Sequence, residues 1–146
     1  MKQLFLILSV FALVFGMTSC GAGYDLDKCK TLQEKIDNGD ELTQEDYTEM
    51  ISQARGLNAF LDTRVSKMES MDLDDIVNFI QELAKMEEPK YATTFDNALK
   101  SAVAMDELNE DNMKAYKEYE SEMDKYKEHG EEIGKKLSEK ALGALE

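Results

Sequence analysis

Between Tyr47 and Met68 the apolar side chains return at steps of mostly three and four residues: Tyr47, Met50, Ile51, Ala54, Leu57, Leu61, Val65 and Met68. That spacing keeps one face of an α-helix apolar for about six turns. Gln44, Glu45, Glu49, Arg55, Asp62 and Lys67 fall on the other positions. The start of this helix is well marked. Thr43 stands three residues before Asp46, close to a capping box, and Leu42 and Tyr47 are placed to form a hydrophobic staple. Gly56 lies inside the pattern and weakens the helix by up to about 1 kcal/mol.

The same periodicity recurs along the chain. Residues 25–37 carry Leu26, Cys29, Leu32 and Ile36, and Asn38-Gly39 supplies the left-handed stop. After a turn at 70–72, Asp72 is placed to cap a third helix with Leu73, Ile76, Val77, Ile80, Leu83 and Ala84 as its buried stripe. Pro89 is expected to end it, because the ring disfavours helical geometry at Glu88. A fourth helix begins near Pro89 and carries Tyr91, Phe95, Ala98, Leu99, Ala102 and Leu108, with a break at 109–112.

In the last segment, 113–142, Tyr116, Tyr119, Met123, Tyr126, Gly130, Ile133 and Leu137 alternate by three and four, the spacing of a coiled-coil seam. His129-Gly130 either weakens this helix or divides it. No alternating apolar stretch suggests a strand. The expected fold is all-α: a four- to five-helix bundle with a long C-terminal helix and a short, loosely docked first helix.

The first twenty residues have a different character. Lys2 precedes an apolar run from Leu4 to Phe15, which is short for a membrane span, and the run leads into Met17-Thr18-Ser19-Cys20. This arrangement resembles the lipobox of bacterial lipoproteins. The resemblance implies a signal peptide over 1–19, removed by cleavage, and a diacylglyceryl, palmitate-bearing Cys20. A lipidated tether over 20–24 and a helical domain over 25–146 would follow.

With its short Met-Lys start and acidic helical body, the chain is similar to small lipoproteins of Bacteroides-type envelopes. That implies a lipid-anchored place in the cell envelope. Gly21 after the cysteine, where aspartate would retain the protein at the inner membrane under the enterobacterial rule, points to the outer membrane facing the periplasm. Surface lipoproteins of that group carry an acidic tag after the cysteine. Here only the isolated Asp25 and Asp27 follow. Two glycines among residues 21–24 make the tether read as flexible.

Charge narrows the partners. The formal net charge is −14, and loss of Lys2 with the leader makes it one unit more negative. Without a basic run, nucleic acid is excluded as a partner. Membrane attachment falls to the acyl chains rather than to electrostatics. With Cys20 acylated, Cys29 has no intramolecular partner. It reads as a buried small apolar residue, or else as a link to another chain.

Candidate chemistry is sparse. The one histidine, His129, lies in a polar segment and reads as solvated. Zinc cages and helical di-iron sites both need more histidine or cysteine than the chain has. The acidic stretches 37–46 and 106–112 lack the register of a calcium loop. No catalytic residue, metal site or cofactor is therefore expected.

The reading at this point is a non-catalytic envelope lipoprotein, a helical protein-interaction or structural module with an envelope protein as partner. Tyr116, Tyr119, Met123, Tyr126, Ile133 and Leu137 are its candidate interface, and core packing is the competing role for the same side chains. The alternative is a small-ligand or ion-binding lipoprotein accessory to transport. Burial of Asn58, Asn78 or Asn97 would be its structural sign.

Overall fold

The computed structural model describes residues 23–143; the leader over 1–19 and Cys20 lie outside the described residues. Five helices follow in order: α1 (Leu26–Asn38), α2 (Gln44–Val65), α3 (Leu73–Lys85), α4 (Glu88–Met105) and α5 (Glu110–Gly143). A short 3-10 turn, Met68–Ser70, links α2 to α3. The described chain is an all-α bundle.

Helix ends follow the local chemistry. Asp25 caps α1 by accepting from the N–H groups of Asp27 and Lys28, and Gly39 closes it at φ +72°. Thr43 and Asp46 form a reciprocal capping box on α2. Asp72 accepts from the N–H of Asp75 at the head of α3. Asn109 does the same for Asn112 at the head of α5. Each such cap satisfies an N–H that has no partner within its helix.

Three boundaries differ from expectation: α3 ends early, α4 stops at Met105 short of Leu108, and α5 begins at Glu110 inside the expected break. α3 ends at Lys85, before the influence of Pro89, because Glu87 adopts a left-handed φ of +50° and turns the chain. Proline then sits in the first turn of α4, where its missing N–H costs nothing. α5 runs through His129 and Gly130 without a break for 34 residues, about 51 Å.

α2 and α5 run parallel to each other. Gln44 meets Asn112, Asn58 meets Glu122, and Lys136 meets the Val65 carbonyl, so both chains advance together. α1 is antiparallel to α2 through Lys28–Glu49 and Lys35–Asp46, at 3.1 and 2.6 Å. α4 is antiparallel to α5: Tyr119 donates to the Ala92 carbonyl at 3.1 Å and Asn112 to the Ala102 carbonyl at 3.3 Å. α3 takes the same direction as α4 above it. Its leading end meets Lys140 through the Met71 carbonyl, and its trailing end meets Tyr24 through the Met86 carbonyl.

Apolar side chains gather into two clusters along the α2–α5 pair. The lower one joins Cys29 and Leu32 of α1, Met50 and Ile51 of α2, Tyr91, Phe95 and Leu99 of α4, and Tyr119 of α5. The upper one holds Leu57, Leu61, Val65, Met68 and Phe79, with Tyr126, Ile133 and Leu137 packed against it. The first helix is not loosely docked: Cys29 is fully buried and Leu32 nearly so. Burial is the main reason that the Cys29 thiol is pushed up to about 11, which keeps it protonated.

Tyr24 packs against both clusters, and its hydroxyl donates to the Met86 carbonyl at 2.6 Å. The backbone leading into it crosses α2 at Gly56. A Cβ on Gly56 would lie 2.4 Å from the Gly23 carbonyl carbon and 2.4 Å from the Tyr24 nitrogen. Gly56 is therefore a notch for a crossing chain, and 23–24 is seated rather than free. Gly56→Ala is expected to lower stability by about 1–3 kcal/mol through overpacking, despite the better helix propensity of alanine. Urea denaturation checks it; a gain in stability would contradict the seating.

Candidate functional site

The six side chains proposed from sequence divide between the two clusters. Tyr119 is buried in the lower cluster, with Tyr116 and Met123 packed against it. Tyr126, Ile133 and Leu137 pack on the upper cluster. These contacts are made to helices of the same chain, so the seam closes the bundle. Positions 119, 126 and 133 face inward as the seven-residue spacing requires.

A second column accompanies them one turn away, at Glu122, His129 and Lys136. Glu122 is 7 % exposed. The Asn58 amide donates to its backbone carbonyl at 2.8 Å and its carboxylate at 2.9 Å, while Lys125 and Arg55 stand at 3.0 and 3.6 Å. Burial pushes the Glu122 carboxyl up. The hydrogen bonds from Lys125 and Asn58, with the charges of Lys125 and Arg55, outweigh it and hold the group below its ordinary value.

One heptad on, His129 Nε2 meets Asp62 Oδ1 at 3.2 Å, and its side chain is only 13 % exposed. The imidazole is thus paired against α2, where a solvated position was expected. Lys136 donates to the Val65 carbonyl at 3.1 Å, and Lys140 reaches the Glu69 carbonyl at 3.2 Å. Both ammonium groups satisfy carbonyls at and beyond the negative end of α2. Reading the segment by apolarity selected 116, 123, 130 and 137 as the alternate seam positions. Nothing in the pattern on α5 alone reveals the partners that the column of Glu122, His129 and Lys136 finds on α2.

α3 presents the opposite surprise. Leu73, Val77 and Ile80, expected in its buried stripe, are exposed at 55, 51 and 40 %. Ile76 and Phe79 are the residues that enter the core. Steps of four and three place Leu73, Val77 and Ile80 in one row beside the buried pair. The helix is therefore apolar around about half its circumference, more than the bundle covers. Asp72, Asp74 and Asp75 border this row at its leading end.

The chemistry of catalysis and ligation is not gathered at one place. Cys29 lies in the lower cluster, with its sulfur 3.8 Å from Gln53 Oε1, whereas His129 faces Asp62. Among the described residues, no three of His, Cys, Asp and Glu converge on a metal position. Asn58 is buried but bound to Glu122, and Asn78 and Asn97 are exposed. An open groove of about 550 Å³ runs beside α5, lined by Arg55, Leu108, Met113, Lys117, Glu118 and Glu122 among others. Three of its charged groups pair with one another: Arg55 meets Glu118 at 3.1 Å and Glu122 at 3.6 Å.

The chain matches no protein-family model, and comparison with curated proteins and with solved structures returns no match.

Acid pH tests the charged column. Glu122 titrates below its ordinary value, and so does Asp46, where the bonds from Lys35 and Thr43 outweigh burial. A depressed folded-state value adds stability above the unfolded value of about 4, and this is lost as pH falls through the folded one. The denaturation midpoint of the native chain should therefore drop steeply with acidification below about pH 4. Glu122→Gln, which keeps an acceptor for Asn58, should show a shallower drop. Equal slopes would contradict the assignment.

Proposed function

We propose that the protein is a non-catalytic lipoprotein of the cell envelope, held at the outer membrane facing the periplasm by a diacylglyceryl group on Cys20. The observation that carries this reading is the apolar run of 4–15 leading into Met17-Thr18-Ser19-Cys20. No helix among the described residues is long and apolar enough to cross a membrane, and in this reading the acyl chains on Cys20 make the attachment. Two acyl chains are sufficient for stable anchoring where one is marginal.

The body then serves as a docking module for a second envelope protein. The exposed row Leu73, Val77 and Ile80 supports this role, because side chains of this size in one line make an anchor for a complementary apolar cleft. The aspartates at 72, 74 and 75 and the chain's charge of −14 suit a partner whose cleft is rimmed by cations. The tyrosine and isoleucine seam on α5 is already engaged within the bundle and is not the docking face in this reading. A second reading, a small-ligand-binding lipoprotein accessory to transport, draws on the groove beside Arg55 and Lys117. A thermal upshift with sugars, peptides or divalent ions would favour it.

Labelled palmitate is expected to enter the full chain in a bacterial host and to be lost in Cys20→Ala. A photo-crosslinking side chain at position 80 should capture one envelope protein, and Val77→Asp should abolish capture with the helical circular dichroism intact. Absence of palmitate would remove the anchor. Palmitate without Val77-dependent capture would remove the docking role.

A further inference from the structure

The anchor, if Cys20 bears it, joins the bundle at its waist rather than at an end. Gly23 is pressed on the Gly56 notch, and four hydrogen bonds fasten the entry. Tyr24 donates to the Met86 carbonyl at 2.6 Å, the Asp25 N–H donates to the buried Gln53 side chain at 2.6 Å, and Asp25 caps α1. The position along the bundle follows from the neighbours of Gly56 on α2. Arg55 pairs with Glu118 and Asn58 with Glu122, so the entry is level with 118–122 of α5.

The lengths on either side of this level are unequal, and both are large. α1 runs away from the entry for 13 residues, about 20 Å at 1.5 Å per residue. α5 continues the other way from Glu122 to Gly143, about 32 Å. Cys20 precedes Gly23 by three residues, and consecutive Cα atoms are about 3.8 Å apart, so the reach is at most about 11 Å. A bundle standing on either end would need a tether of at least about 20 Å. The tether is too short for that.

We infer that the bundle lies on its side on the lipid surface, with the face where Gly23 crosses α2 turned to the bilayer. This rests on acylation of Cys20 under the proposed function. α5 meets α2 through Gln44, Arg55, Asn58 and Asp62, positions turned well away from Gly56 around the helix. The long helix therefore lies on the side remote from the membrane. The acidic body needs no electrostatic grip on lipid for this orientation; the fastened tether imposes it.

Polarised infrared spectroscopy of the processed, acylated protein on a supported phosphatidylethanolamine–phosphatidylglycerol bilayer tests this. The amide I dichroism should place the helices in the membrane plane. A twelve-residue Gly/Ser insertion between Ala22 and Gly23 should reduce the dichroism to that of unoriented helices while palmitate labelling and membrane recovery stay unchanged. Helices along the membrane normal, or equal dichroism with and without the insertion, would overturn the inference and leave the lipoprotein reading standing. Absence of palmitate from the chain would overturn the lipoprotein reading first, and the orientation with it.

Discussion

The parallel pairing of α2 with α5 constrains every other element. Two parallel helices cannot be joined by a short loop, so the chain must return along the bundle between them. It does so in two pieces, α3 over the upper half and α4 over the lower. The register of the pair is marked by polar contacts at intervals: Gln44 with Asn112, Asn58 with Glu122, Asp62 with His129, and the Val65 carbonyl with Lys136. Buried polar contacts of this kind add little net stability compared with apolar packing. A shift in register would leave Asn58 and Glu122 unpaired, and that penalty favours a single alignment.

The break between α3 and α4 creates the second organising point. Glu87 turns the chain in a left-handed conformation, and the two apolar clusters meet near this level. Tyr24 fills the junction, with its hydroxyl on the Met86 carbonyl just before the break. Residues that look like linker are thus part of the packing. The notch at Gly56, the buried Gln53 and the cap at Asp25 all serve the same crossing. Where the chain enters then decides how the body is carried by anything attached upstream.

Much of this was legible in the sequence where the signal is local. The stop at Gly39, the capping box at Thr43 and Asp46, the cap at Asp72 and the inward positions 119, 126 and 133 each depend on neighbours within one or two turns. The rest depends on partners far along the chain. Glu122, His129 and Lys136 look like a solvated face until Asn58, Asp62 and the end of α2 are placed beside them. Leu73, Val77 and Ile80 look like core because an apolar arc does not say how much of it will be covered. Gly56 looks like a weak point because the crossing of 23–24 leaves no mark on α2. The candidate anchor at Cys20 is visible only as a motif.

Distances between spin labels on α2 and α5 test the central claim most directly. Exposed positions 45, 111 and 139 accept labels without entering the core. Parallel pairing predicts a short separation for 45 with 111 and one of about 40 Å for 45 with 139, from 28 residues at 1.5 Å each. A short 45–139 distance with a long 45–111 distance would mean that the two helices run antiparallel, and the polar register, the return path and the waist entry would all be wrong.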